Sequence, residues 1–199
     1  MRHRKLSGTI GIAAVAAALI LALPAMLAWA MKVNGTNGPD TLAGTDGPDR
    51  IVARAGNDTV NALAGRDRVR AGKGNDTVDA GPGWDLVFGG YGDDTLNGGP
   101  GRDVIFAQRG VDTVNGGDGG DYLWALARKD VTGVSGEPAD TVNGEAGNDV
   151  IRVRDGEADT VTCGAGYDIV RADKKDVVSE DCERVKRHAP RSHDDDDED

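Results

Sequence analysis

The chain has 199 residues, 30 of them Gly, with 4% aromatic residues and a formal net charge of −11. That much Gly without a triplet period excludes collagen and is too much for ordinary helices, and the scarcity of large apolar side chains excludes a compact multilayer core. The acidic balance argues against nucleic acid as a partner.

Arg2, His3, Arg4 and Lys5 open the chain, an apolar run extends from Ile10 to Leu23, Pro24 breaks it, and Ala28-Trp29-Ala30 supplies an A-x-A site. This is the layout of a secretory signal peptide over residues 1–30. The alternative is an uncleaved anchor, since Ile10 to Met31 is nearly long enough to span a bilayer. Pro24 and the A-x-A site favour cleavage, and with it a secreted or cell-surface location and no stable membrane insertion afterwards.

The body is a nine-residue repeat. Asp recurs at 40, 49, 58, 67, 76, 85, 94, 103, 112 and 121. Gly stands two residues before each of these (Gly38 to Gly119), and an aliphatic residue two after (Leu42 to Leu123). Such internal periodicity is the signature of a solenoid. A segment such as Thr59-Val60-Asn61 reads as a short strand with Val60 inward, and the Gly-rich segment before it as a tight turn. Two nonapeptides make one coil of eighteen residues. Stacked coils give an all-β, parallel β-solenoid or β-roll, with a thin core of one inward aliphatic per repeat. The register slips after Asp121, and Tyr122 to Ala139 reads as an insertion or bulged coil, in which Trp124 and Leu126 plug a gap. Asp140, Asp149, Asp159 and Asp168 resume the pattern with steps of nine or ten.

Residues 31–170 are thus assigned to the roll and 171–187 to a C-terminal cap. Cys163 and Cys182 are the only cysteines. In an oxidising compartment they are expected to form one disulfide that pins this cap. Residues 188–199, ending in the acidic run Asp194 to Asp199, read as a disordered tail.

Coils of eighteen place Asp76 against Asp94, and Asp85 against Asp103 and then Asp121. Parallel strands lie about 4.8 Å apart, and carboxylates at that spacing repel by about 3 kcal/mol at an effective dielectric of 20. A solvent-facing ladder of them calls for a hard divalent cation, held by carboxylates and by carbonyls that Gly-rich turns aim inward. The competing reading is a metal-free solenoid whose Asp side chains merely cap turns.

The segments Gly89-Gly-Tyr-Gly-Asp-Asp94, Gly98-Gly-Pro-Gly-Arg-Asp103 and Gly116-Gly-Asp-Gly-Gly-Asp121 resemble the hemolysin-type (RTX) calcium-binding nonapeptide, G-G-x-G-x-D-x-U-x. The resemblance extends over about residues 34–170. It implies a secreted β-roll with Ca²⁺ between successive turns. The ligands it implies are Asp76, Asp85, Asp94, Asp103 and Asp121, with the turn backbone at Gly72, Gly74, Gly81, Gly83, Gly90, Gly92, Gly99, Gly101, Gly117 and Gly119. Asp40, Asp49, Asp58, Asp67, Asp112, Asp149 and Asp168 rank lower, because Thr36, Thr45, Arg54, Leu63 and Gln108 replace the second Gly of their turns or because, as for Asp168, a clean partner one coil earlier is missing. The Cys-Gly-x-Gly-x-Asp…Asp-Cys-Glu ending is similar to that of secreted actinobacterial repeat proteins.

His3, His188 and His193 all lie outside the repeat, which argues against a zinc centre or a His-based triad within it. The leading expectation is a non-catalytic, secreted calcium-binding protein that folds on or is stabilised by external Ca²⁺. One alternative is an adhesive or scaffold module showing Trp84 and Tyr91 to a glycan or protein. The other is a small polysaccharide-acting enzyme using paired carboxylates.

Overall fold

The computed structural model describes residues 30–125 and 139–187; residues 1–29, Leu126 and the acidic tail, on which several expectations fall, lie outside them. Among the described residues there is no helix. The chain winds as a series of short strands that alternate between two parallel sheets. Nine strands form one sheet: β1 (Lys32–Asn34), β3 (Arg50–Ala55), β5 (Arg68–Lys73), β7 (Leu86–Tyr91), β9 (Val104–Arg109), β11 (Tyr122–Trp124), β13 (Val150–Arg152), β15 (Ile169–Ala172) and β17 (Arg184–Arg187). Eight form the other: β2 (Thr41–Ala43), β4 (Thr59–Asn61), β6 (Thr77–Asp79), β8 (Thr95–Asn97), β10 (Thr113–Asp118), β12 (Thr141–Ala146), β14 (Thr160–Thr162) and β16 (Val177–Val178).

Thr-Val-Asn and its variants suit this arrangement because β-branched side chains pack well on a pleated surface, and the two-residue pleat turns only the central residue inward. Val60, Val78, Leu96 and Val114 from one sheet face Val69, Val87, Ile105 and Leu123 from the other, all essentially without exposure. The core is richer than one aliphatic per repeat. A second inward row of small residues follows, including Ala53, Ala62, Ala71, Ala80, Ala107 and Ala125, with Gly89, Gly98, Gly116 and Gly144 in the same place elsewhere. Val153 and Cys163 take this place in the later coils, also fully buried.

Pairing steps by one eighteen-residue coil through the first half, with Arg50 against Arg68 and Thr59 against Thr77. Farther along, the pairing step widens to twenty-eight residues and the register is kept. Thr113 pairs with Thr141, and Tyr122 with Val150. Tyr122–Trp124 is therefore not the insertion expected from the sequence but a regular strand, in register with Val104–Phe106. The last coils contract, and residues 171–187 continue both sheets, Ile169 pairing with Arg184. The expected boundary at 170 falls inside β15. Cys163 and Cys182 form the disulfide, joining the end of β14 to the segment between β16 and β17.

The outer faces differ. The eight-stranded sheet turns out a row of Thr41, Thr59, Thr77, Thr95, Thr113, Thr141 and Thr160, beside a row of amides in which Asn115 donates to Asn97 (2.6 Å) and Asn143 to Asn115 (2.7 Å). The nine-stranded sheet turns out Lys32, Arg50, Arg68 and Arg184 in one row and Arg70, Arg152, Arg171 and Lys186 in the next, with apolar and aromatic residues between and no acid in either row. Phe88, Phe106 and Trp124 stack in that second row at 5.1 and 4.3 Å, with the guanidinium of Arg70 5.5 Å from the Phe88 ring and that of Arg152 5.5 Å from the Trp124 ring. Trp124 belongs to this external stack rather than filling a gap.

Candidate metal centre

Each turn carries the chain from the inward small residue to the next Asp in five steps, and left-handed backbone makes that possible. In Gly98-Gly99-Pro100-Gly101-Arg102-Asp103, Gly99 has φ 97° and Gly101 φ 150°. A Cβ on Gly101 would collide with the carbonyl oxygen of Gly83 one coil earlier. Stacked turns thus touch backbone to backbone, with carbonyl oxygens directed along the stack. Of the glycines singled out from the sequence, all except Gly83 have positive φ.

The Asp residues form two unbroken columns. In the first, the N–H of Asp40 donates to Oδ1 of Asp58, and the pattern continues through Asp76, Asp94, Asp112, Asp140, Asp159 and Asp176. In the second it runs from Asp49 through Asp67, Asp85, Asp103, Asp121, Asp149 and Asp168, and ends on Glu183 Oε2. The Asp168 turn, which the sequence left without a partner one coil earlier, sits on Asp149 at 2.8 Å.

These carboxylates are not solvent-facing, as the sequence reading had them. From Asp49 onward every column Asp is at most 5% exposed. One oxygen of each is satisfied by the neighbouring N–H. The other is not: Oδ2 of Asp58, Asp67, Asp76, Asp85, Asp94, Asp103, Asp112, Asp121, Asp140, Asp149, Asp159 and Asp168 is buried without a hydrogen-bond partner. Leaving an acceptor in that state is costly, more so when it is ionised. Asp176, at the end of the first column, is an exception, its Oδ2 accepting from the N–H of Asp173 at 2.6 Å, and so are Asp40 and Asp49 at the beginning of the two columns. The Oδ2 atoms of Asp40 and Asp49 accept from the N–H of Thr36 and Thr45 at 2.5 Å and from the Thr hydroxyls at 3.0 Å. The Thr that replaces the second Gly therefore does internally what the other turns leave undone.

Burial raises the carboxyl pKa from Asp58 onward in the first column and from Asp67 to Asp168 in the second. It is pushed up to about 7 for Asp85 and Asp103 and to about 8 for Asp94, by desolvation first, against the lowering effect of the backbone N–H, with repulsion from neighbouring carboxylates adding to the rise. Asp76 and Asp121 rise to about 6 for the same leading reason. The mutual repulsion expected from the sequence is present, yet loss of water is the larger cause.

At Arg54, Leu63 and Gln108 the sequence predicts turns that fail to wrap a cation. The backbone keeps the left-handed conformation there nonetheless, with φ of 87°, 71° and 86°, and Glu145 does the same at 73°. Neighbouring coils hold these residues in place. The sequence reading also passed over Asp140 and Asp159 as site residues. They join Glu157, the carboxylate oxygens of all three lying within 4.8 Å of one another. The signal was available, since Asp-Thr-Val follows the same pattern at 58, 76, 112, 140 and 159.

Oxygen-only donors, unpartnered and buried, beside carbonyls of tight turns repeating along a stack suit a hard cation such as Ca²⁺. No soft or nitrogen donor accompanies them in the columns. This arrangement defines a metal-binding parallel β-roll. The RTX calcium-binding nonapeptide repeat matches the chain in four copies, at residues 34–69, 62–90, 88–123 and 136–170, and the chain belongs to that family, whose repeats bind Ca²⁺. Comparison with curated proteins finds no match.

Proposed function

We propose that this chain is a secreted, non-catalytic calcium-binding protein whose β-roll is completed and stabilised by external Ca²⁺. The single observation that carries this reading is the run of buried Oδ2 atoms without partners along both Asp columns. Calcium, when bound, supplies the positive charge and the acceptor-satisfying coordination that these atoms lack. The chain's own part is to hold the carboxylates in register through the N–H to Oδ1 bonds and to bring turn carbonyls beside them. Among the turns, those ending in Asp76, Asp94, Asp85, Asp103 and Asp121 are favoured as sites, because they combine an unpartnered Oδ2 with glycine-built turns. Asp40 and Asp49 are disfavoured by their Thr partners.

Secretion is supported by the amino-terminal run and its A-x-A site, and calcium-dependent ordering then has a place in it: the chain crosses the membrane before its carboxylates meet a high Ca²⁺ concentration. Affinities of extracellular modules, about 10⁻⁴–10⁻³ M, suffice there. Circular dichroism and calcium titration of residues 31–199, with and without EDTA, test the reading. A β signal that EDTA leaves intact, with no calcium taken up, would sink it.

A further inference from the structure

Three residues one coil apart, Arg66, Trp84 and Arg102, occupy the same turn position, immediately before Asp67, Asp85 and Asp103. They stand along one edge of the nine-stranded sheet and border a groove of about 450 Å³, whose wall is completed by Arg68, Leu86 and Tyr122. Trp84 is 60% exposed, the most solvent-accessible ring in the roll. Arg102 Nη2 donates to the Tyr122 hydroxyl at 2.8 Å, and its guanidinium lies 5.1 Å from the Tyr122 ring. The Arg68 guanidinium lies 5.9 Å from the Phe88 ring. Both guanidinia thus lie against rings, and Arg102 is also close enough to Asp121 to lower its carboxyl pKa, against the larger rise from burial. The two acids at the groove, Asp67 and Asp85, are 2% exposed and give one oxygen each to a backbone N–H.

From this geometry we infer a binding site for an acidic polysaccharide whose sugars carry carboxylate groups. An exposed indole offers a flat apolar face to a pyranose ring. Guanidinia one coil to either side, about 10 Å apart at the strand spacing, match the planar fork of a carboxylate. The groove opens on the face of the roll that carries Arg and Lys and no acid in its outward rows, although the chain as a whole is acidic at −11. Among the described residues, a polyanion therefore meets complementary charge on this face. Single-stranded nucleic acid is the other polyanion with a use for an aromatic ring. It stacks successive bases on successive platforms, whereas here Phe88, Phe106 and Trp124 turn their faces to one another at 5.1 and 4.3 Å, and the other ring at the groove, Tyr122, is covered by the Arg102 guanidinium. A short polyuronate is the better fit.

The test uses the calcium-loaded protein and a hexamer of galacturonate, with indole fluorescence and calorimetry as readouts at physiological salt. Saturable binding that shifts the indole emission is expected, with no binding of a neutral maltohexaose or of an oligothymidylate of similar charge. Trp84→Ala and the pair Arg66→Gln with Arg102→Gln should each weaken binding by about tenfold or more, and Trp84→Tyr should restore most of it. The circular dichroism and calcium uptake of each variant are measured alongside, so that loss of the glycan site is separable from loss of the roll. Equal binding of maltohexaose or oligothymidylate, no binding by the folded wild type, or unchanged affinity in the folded variants would overturn the proposal. Failure here with calcium uptake intact leaves the calcium reading standing.

Discussion

The backbone N–H of Asp76 donates to Oδ1 of Asp94 at 2.9 Å, one coil further on, while Oδ2 of Asp94 is buried with no partner. One carboxylate thus holds two coils together with one oxygen and leaves the other to be satisfied from outside the chain. The whole stack repeats this unit, so its stability is tied to whatever fills that second position.

The metal-free protein should lose stability as pH rises. Unfolded carboxylates titrate near pH 3.9, whereas burial raises Asp85 and Asp103 to about 7 and Asp94 to about 8. Between those limits the native state holds more protons than the unfolded state, so the slope of stability against pH is negative. The favourable contribution is complete below about pH 4 and is lost as pH passes through 6 to 8. In EDTA, the thermal midpoint at pH 5 is expected above that at pH 8, and saturating calcium should remove most of the difference while releasing protons on binding. A midpoint that climbs with pH in EDTA would contradict the burial of these carboxyls.

Asp103→Asn and Asp49→Asn should separate structural from metal-dependent roles. Asp103 lies between Asp85 and Asp121 with Oδ2 unpartnered, whereas Thr45 already bonds Asp49. Calorimetric titration should give Asp103→Asn reduced calcium stoichiometry and a folding midpoint in calcium raised by roughly tenfold, the effect of a lost charged ligand. Asp49→Asn should keep the wild-type stoichiometry. Equal losses in the two variants would mean that Thr45 does not substitute for a cation.

Leu63→Gly should stabilise the protein. Leu63 has φ 71° and is one of the more exposed apolar residues of the roll, at 37%. A left-handed L-residue costs about 1–2 kcal/mol, against an entropic cost of about 0.5–1 kcal/mol for Gly. Denaturant unfolding in calcium is expected to show a gain of about 0.5–1 kcal/mol, and Leu63→Val a loss, because a branched Cβ resists that conformation more. Should Gly prove destabilising, Leu63 must be contributing packing that outweighs its backbone strain.

Removal of the Cys163–Cys182 bond should act locally. The bridge ties β14 to the contracted final coil, where β17 is exposed along its whole length. Replacing both cysteines with Ala is expected to cost about 3 kcal/mol in the chain-entropy description. Hydrogen exchange should rise first in residues 172–187, with the coils around Val87 and Ile105 still protected. Uniform loss of protection along the roll would show instead that the last coil is needed to hold the first.

Much of this was written in the order of residues. Each nonapeptide holds one short strand and one turn, the turn carries the chain to the other sheet, and two of them return Val60 to Val78 with the same side inward. Hence the coil length, the inward aliphatics and the two Asp columns followed from spacing alone. The division of outer faces was also legible, since Thr follows Asp in every second repeat and Arg or an apolar residue in the others, but it emerges only when repeats are compared at eighteen rather than nine.

What the order of residues left open was settled by how closely the coils stack. Contact between successive turns buries the Asp side chains and strips them of water, which no local pattern reveals, and it holds Arg54, Leu63 and Gln108 in a backbone conformation that their own chemistry resists. The same stacking keeps the ladder in register across a coil of twenty-eight residues, with Thr113 against Thr141 and Asp112 bonded to Asp140, because a parallel ladder fixes only the strands. It also brings Arg66, Trp84 and Arg102, far apart in the chain, to the rim of one groove. Periodicity determined the roll; proximity between coils determined the charge state, the strain and the groove.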